Sequence, residues 1–163
     1  MCGHGKAGGL VAVVVGCVLS VLVAQVGDDP VWFVNWSASS PAGVYRASAK
    51  APDRGAYVVV NEEAVWWPET LAERRIPLLK VVVAVGGDEV SVSEAGVAVN
   101  GALIERSGWW RRFEGAPAEG FNRTLRAEEV FVVSSVDRAF DSRYFGPVSR
   151  SAVRRVDLVQ GFR

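Results

Sequence analysis

Leu78-Leu79-Lys80-Val81-Val82-Val83-Ala84-Val85 is the stretch on which the fold turns. It is short, apolar and rich in β-branched residues, and Gly86-Gly87-Asp88 closes it, so it reads as a buried β-strand. On a strand Leu78, Lys80, Val82 and Ala84 share one face, and Leu79, Val81, Val83 and Val85 share the other. Neither face is polar apart from Lys80. That lysine either snorkels from a strand end or is buried. Burial disfavours the charged amine and lowers its pKa. A neutral amine is a general base, a use to which lysine is well suited. Lysine is not the default cation of this chain: three lysines stand against fifteen arginines.

Similar runs lie on both sides: Tyr57–Val60, Val90–Val92, Val97–Val99 and Val130–Val133. Turn signals separate them, among them Asp53-Arg54-Gly55, Glu94-Ala95-Gly96 and Asn100-Gly101. Val90–Ile104 reads as a small meander with Asn100-Gly101 as a two-residue hairpin turn. Helical pattern is scarce. Pro68–Arg75 reads as one short helix, with proline early and acids in its first turn. Ser149–Val156 reads as a further helical turn, and Gly115–Arg126 as an exposed loop. The expected fold is mainly β, an antiparallel core with a small β insert.

From Ala7 to Gly27 no residue is charged, and Val, Leu, Ala and Gly dominate. About 20 apolar residues span a bilayer, and only as a helix do they satisfy their own backbone. Lys6 precedes the run and Asp28-Asp29 follows it, which places the short tail in the cytoplasm and the rest outside. A cleaved signal peptide has a shorter core and a small-residue exit. Val14-Val15-Gly16-Cys17 fits a loose lipobox, yet the apolar run continues for nine residues past Cys17. The expected organisation is residues 1–29 as cytoplasmic tail and transmembrane helix, and 30–163 as an extracytoplasmic domain.

Composition removes most chemistries. Eighteen basic residues balance eighteen acidic ones, a poor basis for gripping nucleic acid. The cysteines, Cys2 and Cys17, and the one histidine, His4, all precede residue 18. The body of the chain therefore offers no thiol nucleophile, no Ser-His-Asp triad and no His/Cys metal site. An enzyme built here uses Ser, Thr, Lys, Tyr or carboxylates. Glu62-Glu63 and Glu128-Glu129 flank strands and read as solvated surface rather than a glycosidase pair. Gly86-Gly87-Asp88 lacks the Lys-Ser/Thr of a phosphate loop. Neither a cofactor nor a metal is expected.

Two further segments carry polar chemistry. Asn35-Trp36-Ser37-Ala38-Ser39-Ser40-Pro41-Ala42-Gly43-Val44-Tyr45 sets Asn, Ser, Ser, Pro, Gly and Tyr at every second position. Asp137-Arg138-Ala139-Phe140-Asp141-Ser142-Arg143-Tyr144-Phe145-Gly146-Pro147-Val148 packs acid, hydroxyl, base and aromatics together. Taken alone, the first is a loop and the second a salt-bridged loop.

In this order, behind an apolar N-terminus, the segments resemble the membrane-bound signal peptidases with a Ser-Lys dyad, above all the TraF-type conjugative-transfer branch. That branch carries Asn-x-Thr-x-Ser-x-Pro-x-Gly-x-Tyr, matched by Asn35, Ser37, Ser39, Pro41, Gly43 and Tyr45. Its lysine segment, Lys-Arg-Val-x-x-x-Pro-Gly-Asp, is matched at Lys80, Val82, Gly87 and Asp88. Its third segment is matched without a break from Phe140 to Val148. The resemblance implies a signal-peptidase-like β core, Ser39 as nucleophile, Lys80 as general base, and Ser37 joining the Ser39 amide in the oxyanion hole. It makes Asp141, Ser142 and Arg143 structural support of the site. It implies peptide-bond cleavage of a membrane-translocated precursor, as in conjugative pilin maturation. The partners are then that precursor and the bilayer, and the location is a bacterial inner membrane, single-pass, with the domain on the periplasmic side.

The departures are Val81 for the usual arginine, Gly86 for the usual proline, Ala56 where a Gly-Asp pair is common, and Ala139 for a serine that hydrogen-bonds the catalytic amine. Gly86 predicts a looser turn before Asp88, and Ala139 a lysine lacking one contact. General export-signal cleavage, an inactive scaffold in an envelope secretion complex and a self-cleaving repressor are the other readings. The apolar run and the lack of a DNA-binding module disfavour the last. The pairs Trp66-Trp67 and Trp109-Trp110 read as one core and one exposed ring each, or as a rim at the membrane interface.

Overall fold

The computed structural model describes residues 21–25, 30–73, 75–105, 113–134, 136 and 139–162. Among these the strands are β1 (Val21–Gln25), β2 (Pro30–Asn35), β3 (Gly43–Ala47), β4 (Tyr57–Val60), β5 (Leu78–Val85), β6 (Glu89–Ser93), β7 (Gly96–Val99), β8 (Ala102–Glu105), β9 (Asn122–Thr124), β10 (Glu129–Val133), β11 (Val148–Ser149) and β12 (Val153–Gly161). Among the described residues helix is limited to α1 (Glu69–Ala72), α2 (Ser142–Phe145) and two 3-10 turns. The main sheet has the order β1-β2-β3-β12-β4-β5-β10-β11, and a smaller sheet has the order β8-β7-β6-β9. The pairings are antiparallel.

The apolar character of β5 on both faces follows from its place deep in the main sheet. Leu78 and Val82 pack with Val58, Val60, Val130, Val132, Phe145 and Val148. Leu79 points the other way, into Phe33, Tyr45, Val59 and Val156. Burying each such side chain contributes about 1.5–3 kcal/mol. Toward its end β5 bulges: Phe131 opposes Ala84 and Val132 opposes Val82, leaving Val83 unmatched. Val83 and Ala84 then both turn to the small sheet's core of Val90, Val92, Val97 and Val99. Strict alternation along Leu78–Ala84 therefore fails at Ala84, because a bulge puts two residues opposite one.

The small sheet is the expected meander. Asn100 (φ 51°) and Gly101 (φ 79°) form the two-residue turn joining β7 to β8, where both central residues need positive φ. Asp88 braces this sheet to the main one. Its carboxylate accepts from Val85 N at 2.8 Å, Asn100 Nδ2 at 3.0 Å and Arg54 Nη2 at 2.6 Å. The turn is not loosened by Gly86. A Cβ at that position would lie 2.6 Å from Ala127 Cα and 2.6 Å from Arg126 O, so the absent side chain is what lets that backbone close in.

Several expectations change. The helix expected over Pro68–Arg75 is the single turn α1. In Ser149–Val156 only Arg150–Ala152 is helical, and β12 takes over at Val153 because its backbone pairs on both sides, with β3 and β4. Gly115–Arg126 is more than an exposed loop: β9 pairs with β6, and Ala116, Ala118 and Leu125 are buried. Trp66 and Trp67 lie outside strands, and both pack half-buried against the core, with Trp67 Nε1 donating to Glu62 O at 2.8 Å. Trp109-Trp110 lies outside the described residues. The expected transmembrane helix meets the described residues only at Val21–Gln25, and these form β1, paired with β2. Among the described residues no helix is long and apolar enough to cross a membrane.

Candidate active site

The loop carrying Ser37 and Ser39 joins β2 to β3, which run side by side with Asn35 opposite Gly43. Buried Asn35 organises it. Its Nδ2 donates to the carbonyls of Ser37 (3.2 Å), Ser40 (3.0 Å) and Pro41 (3.1 Å), and its Oδ1 accepts from Ser37 N at 3.0 Å and Ser37 Oγ at 2.7 Å. Tyr45 Oη adds a second donor to Pro41 O at 2.6 Å. Burial, and then the neighbouring Tyr57, push the Tyr45 phenol up to about 12, so it stays a donor at any working pH. Asn35, the last residue of β2, and Tyr45, in the middle of β3, thus lock the loop between them.

Ser39 is half-buried, and its Oγ lies 2.8 Å from Ser37 Oγ. A hydroxyl has one proton. Ser37 gives its own to Asn35 Oδ1, so the Ser39 proton points to Ser37 Oγ. Ser40 Oγ is shared between Ser39 O at 2.9 Å and Leu79 O at 3.1 Å. That bond fastens the serine loop to the residue just before Lys80.

Lys80 is buried, opposite Val58 on β4. Its Nζ donates to Ser134 Oγ at 2.8 Å. Ser134 follows β10, one step beyond the Val133–Val81 pair, which sets it across from Lys80. Burial pushes the amine down from 10.5 to about 8; Asp141 pulls it upward and Arg143 lowers it further. Among the described residues no carboxylate lies within ion-pair distance of Nζ, and no hydrogen bond joins Lys80 to Ser39.

The third segment forms the floor. Asp141 and Arg143 are fully buried and paired at 2.8 Å. Asp141 caps α2 by accepting from Arg143 N at 3.1 Å, and also accepts from Arg143 Nε at 2.9 Å. Its Oδ2 accepts from Ser134 N at 2.9 Å. Ser142 Oγ accepts from Val132 N at 3.1 Å. The three residues thus fasten α2 to β10, the strand that leads to Ser134. Sequence reading missed Ser134, Ser40 and the organising part of Asn35. Asn35 stood in the motif, whereas Ser134 is exposed as a site residue only by the pairing of β5 with β10.

Residues 9–156 match the family model for signal peptidase, peptidase S26. The chain belongs to this family. Within it, the chain is similar to a plasmid transfer protein TraF of Escherichia coli, 35% identical over 136 residues, covering 74% of this chain and 77% of that one. A second Escherichia coli plasmid transfer protein TraF is 31% identical over 160 residues, covering 88% and 90%. Among solved structures, a signal peptidase I from Enterococcus faecalis V583 is similar at 20% identity and a TM-score of 0.44, over 68% of this chain and 99% of that one. The loop of Ser37 and Ser39, the strand of buried Lys80 and the Asp141–Arg143 pair all lie within the matched residues.

Proposed function

We propose that this chain is a serine endopeptidase that cuts a translocated precursor through an acyl-enzyme on Ser39, with Lys80 as general base. The observation that carries this reading is the buried Lys80 amine, bonded to a hydroxyl and held down to about 8, on the strand that Ser40 ties to the Ser39 loop. A serine hydroxyl needs a base before it is a useful nucleophile, and a desolvated lysine supplies one. Substrate binding turns the Ser39 hydroxyl from Ser37 toward Lys80. Ser39 Oγ then attacks the scissile carbonyl carbon while its proton passes to Nζ. Freed of Ser39, Ser37 Oγ rotates off Asn35 and joins the Ser39 amide as an oxyanion donor, each such donor worth about 2.7–4 kcal/mol. The Lys80 ammonium returns its proton to the leaving amine. Water, or another amine, then releases the acyl group.

The similarity to proteins named for plasmid transfer supports a precursor of the conjugation machinery, a pilin subunit above all, over a general export signal. The uncharged N-terminal run supports anchoring in the inner membrane with the domain outside. A helix spanning Ala7–Gly27 takes the same five residues as β1, so the two arrangements exclude each other. Carbonate extraction and protease protection of the full chain distinguish them.

The test is precursor processing. Envelope proteins from cells carrying the wild-type chain are compared by terminal mass mapping with those carrying Ser39→Ala. The reading requires a precursor that accumulates uncut only with the variant. Identical termini in both overturn it.

A further inference from the structure

Lys80 is a long side chain, and a general base has to be held to within about an ångström. The resemblance assigns that task to a serine at position 139, and this chain has alanine there. Yet Nζ is not left without a partner, since Ser134 Oγ lies at 2.8 Å. Ser134 is itself fixed. It is buried, its amide is bound by Asp141 Oδ2 at 2.9 Å, and that carboxylate is held by Arg143. A continuous path of hydrogen bonds and covalent bonds thus runs from Arg143 through Asp141 and Ser134 to Lys80.

We infer that Ser134 is the positioning residue for Lys80, taking over from β10 the part that position 139 no longer plays. The inference rests on Lys80 acting as the base. It also gives the Asp141–Arg143 pair a use beyond bracing, because the pair sets the backbone from which Ser134 reaches the amine. The charged groups facing Lys80 are Asp141 and Arg143, and both are untouched by a change at Ser134. A hydroxyl that accepts from an ammonium favours the charged amine. Ser134→Ala therefore does two things: it frees Nζ to move, and it lowers the pH at which Lys80 gives up its proton.

Two readouts separate this inference from the proposed function. In the first, lysine Cε signals are titrated by NMR, which is tractable because the chain has only three lysines. The Lys80 midpoint lies near 8 in the wild type, and Ser134→Ala moves it lower. Ser134→Thr, which keeps the hydroxyl, restores it, while Ser93→Ala, which removes an exposed hydroxyl at the end of β6 in the small sheet, leaves it in place. In the second, the rate of Ser39 labelling by a fluorophosphonate is followed against pH. Ser134→Ala lowers the plateau by about 100-fold, the scale of a 1 Å misplacement, and shifts the rising limb to lower pH. A folded Ser134→Ala protein with the wild-type midpoint and labelling rate overturns the inference. A folded wild type that shifts on titration but never labels overturns the peptidase reading, and the positioning role falls with it.

Discussion

Ser40 Oγ reaches Leu79 O at 3.1 Å, so the loop that carries Ser39 and the strand that carries Lys80 are joined by a bond one residue away from each. Neither Ser39 Oγ nor Lys80 Nζ takes part in that bond. In the proposed function Ser39 exchanges Ser37 for Lys80 while the bond holds the main chains around it. Such a resting arrangement tightens only when substrate enters, which is common for catalytic hydrogen bonds.

Activity rises with pH through a midpoint near 8. Only the neutral amine takes a proton, and burial lowers the Lys80 value to about 8. A kcat/KM profile between pH 6 and 10 checks this. A profile flat through 8 contradicts it.

The site costs stability. An amine lowered from 10.5 to about 8 by folding is penalised by about 3 kcal/mol at neutral pH. The penalty is complete below 8 and disappears as pH rises from 8 through 10.5, because there the unfolded chain binds more protons than the folded one. Lys80→Met removes it, while leaving Ser134 Oγ without its partner costs about 1 kcal/mol. Urea denaturation at pH 7 then shows a net gain of about 2 kcal/mol that shrinks toward pH 10. A loss of stability at pH 7 contradicts the account.

Asp141 and Arg143 stand or fall together. Removing one leaves the other charged in a site with no exposure, at a cost of about 3–5 kcal/mol. Arg143→Met is therefore expected to unfold much of the protein. Asp141→Leu combined with Arg143→Met costs less than the sum of the single changes, as read from denaturation midpoints in a double-mutant cycle.

Asp88→Ala loosens the small sheet from the main one. Burial acts to raise the Asp88 pKa, but the Val85 amide, Asn100 and Arg54 outweigh it and hold the carboxyl below 3.8. Its stabilising part is complete above that value and is lost as pH falls through the lowered one. The substitution lowers stability by about 1–3 kcal/mol near neutrality. Amide exchange rises first in β6, β7 and β8.

Much of this was legible in the sequence. Tyr57–Val60 and Leu78–Val85 are strands with the expected ends, because β-branched runs closed by turn residues leave little choice. Asn100-Gly101 fixed its hairpin for the same local reason. Ser149–Val156 and Gly115–Arg126 read poorly, since β12 and β9 owe their extension to partners far away in the chain. For the candidate site, the family resemblance named Ser37, Ser39, Lys80, Asp141, Ser142 and Arg143. It could not find Ser134, which sits 54 residues from Lys80 and meets it through a register that contains a bulge. It also gave Ser37 an oxyanion part without showing that its proton rests on Asn35.

The most direct test of the central claim is intact-mass measurement after treatment with a fluorophosphonate, followed by peptide mapping, on folded wild type, Ser39→Ala and Lys80→Ala. One adduct, mapped to Ser39 in the wild type and absent from both variants, is the predicted result, with labelling reduced by about 10⁴-fold or more in Lys80→Ala. An adduct that persists at full rate in Lys80→Ala, or none on folded wild type, contradicts the account.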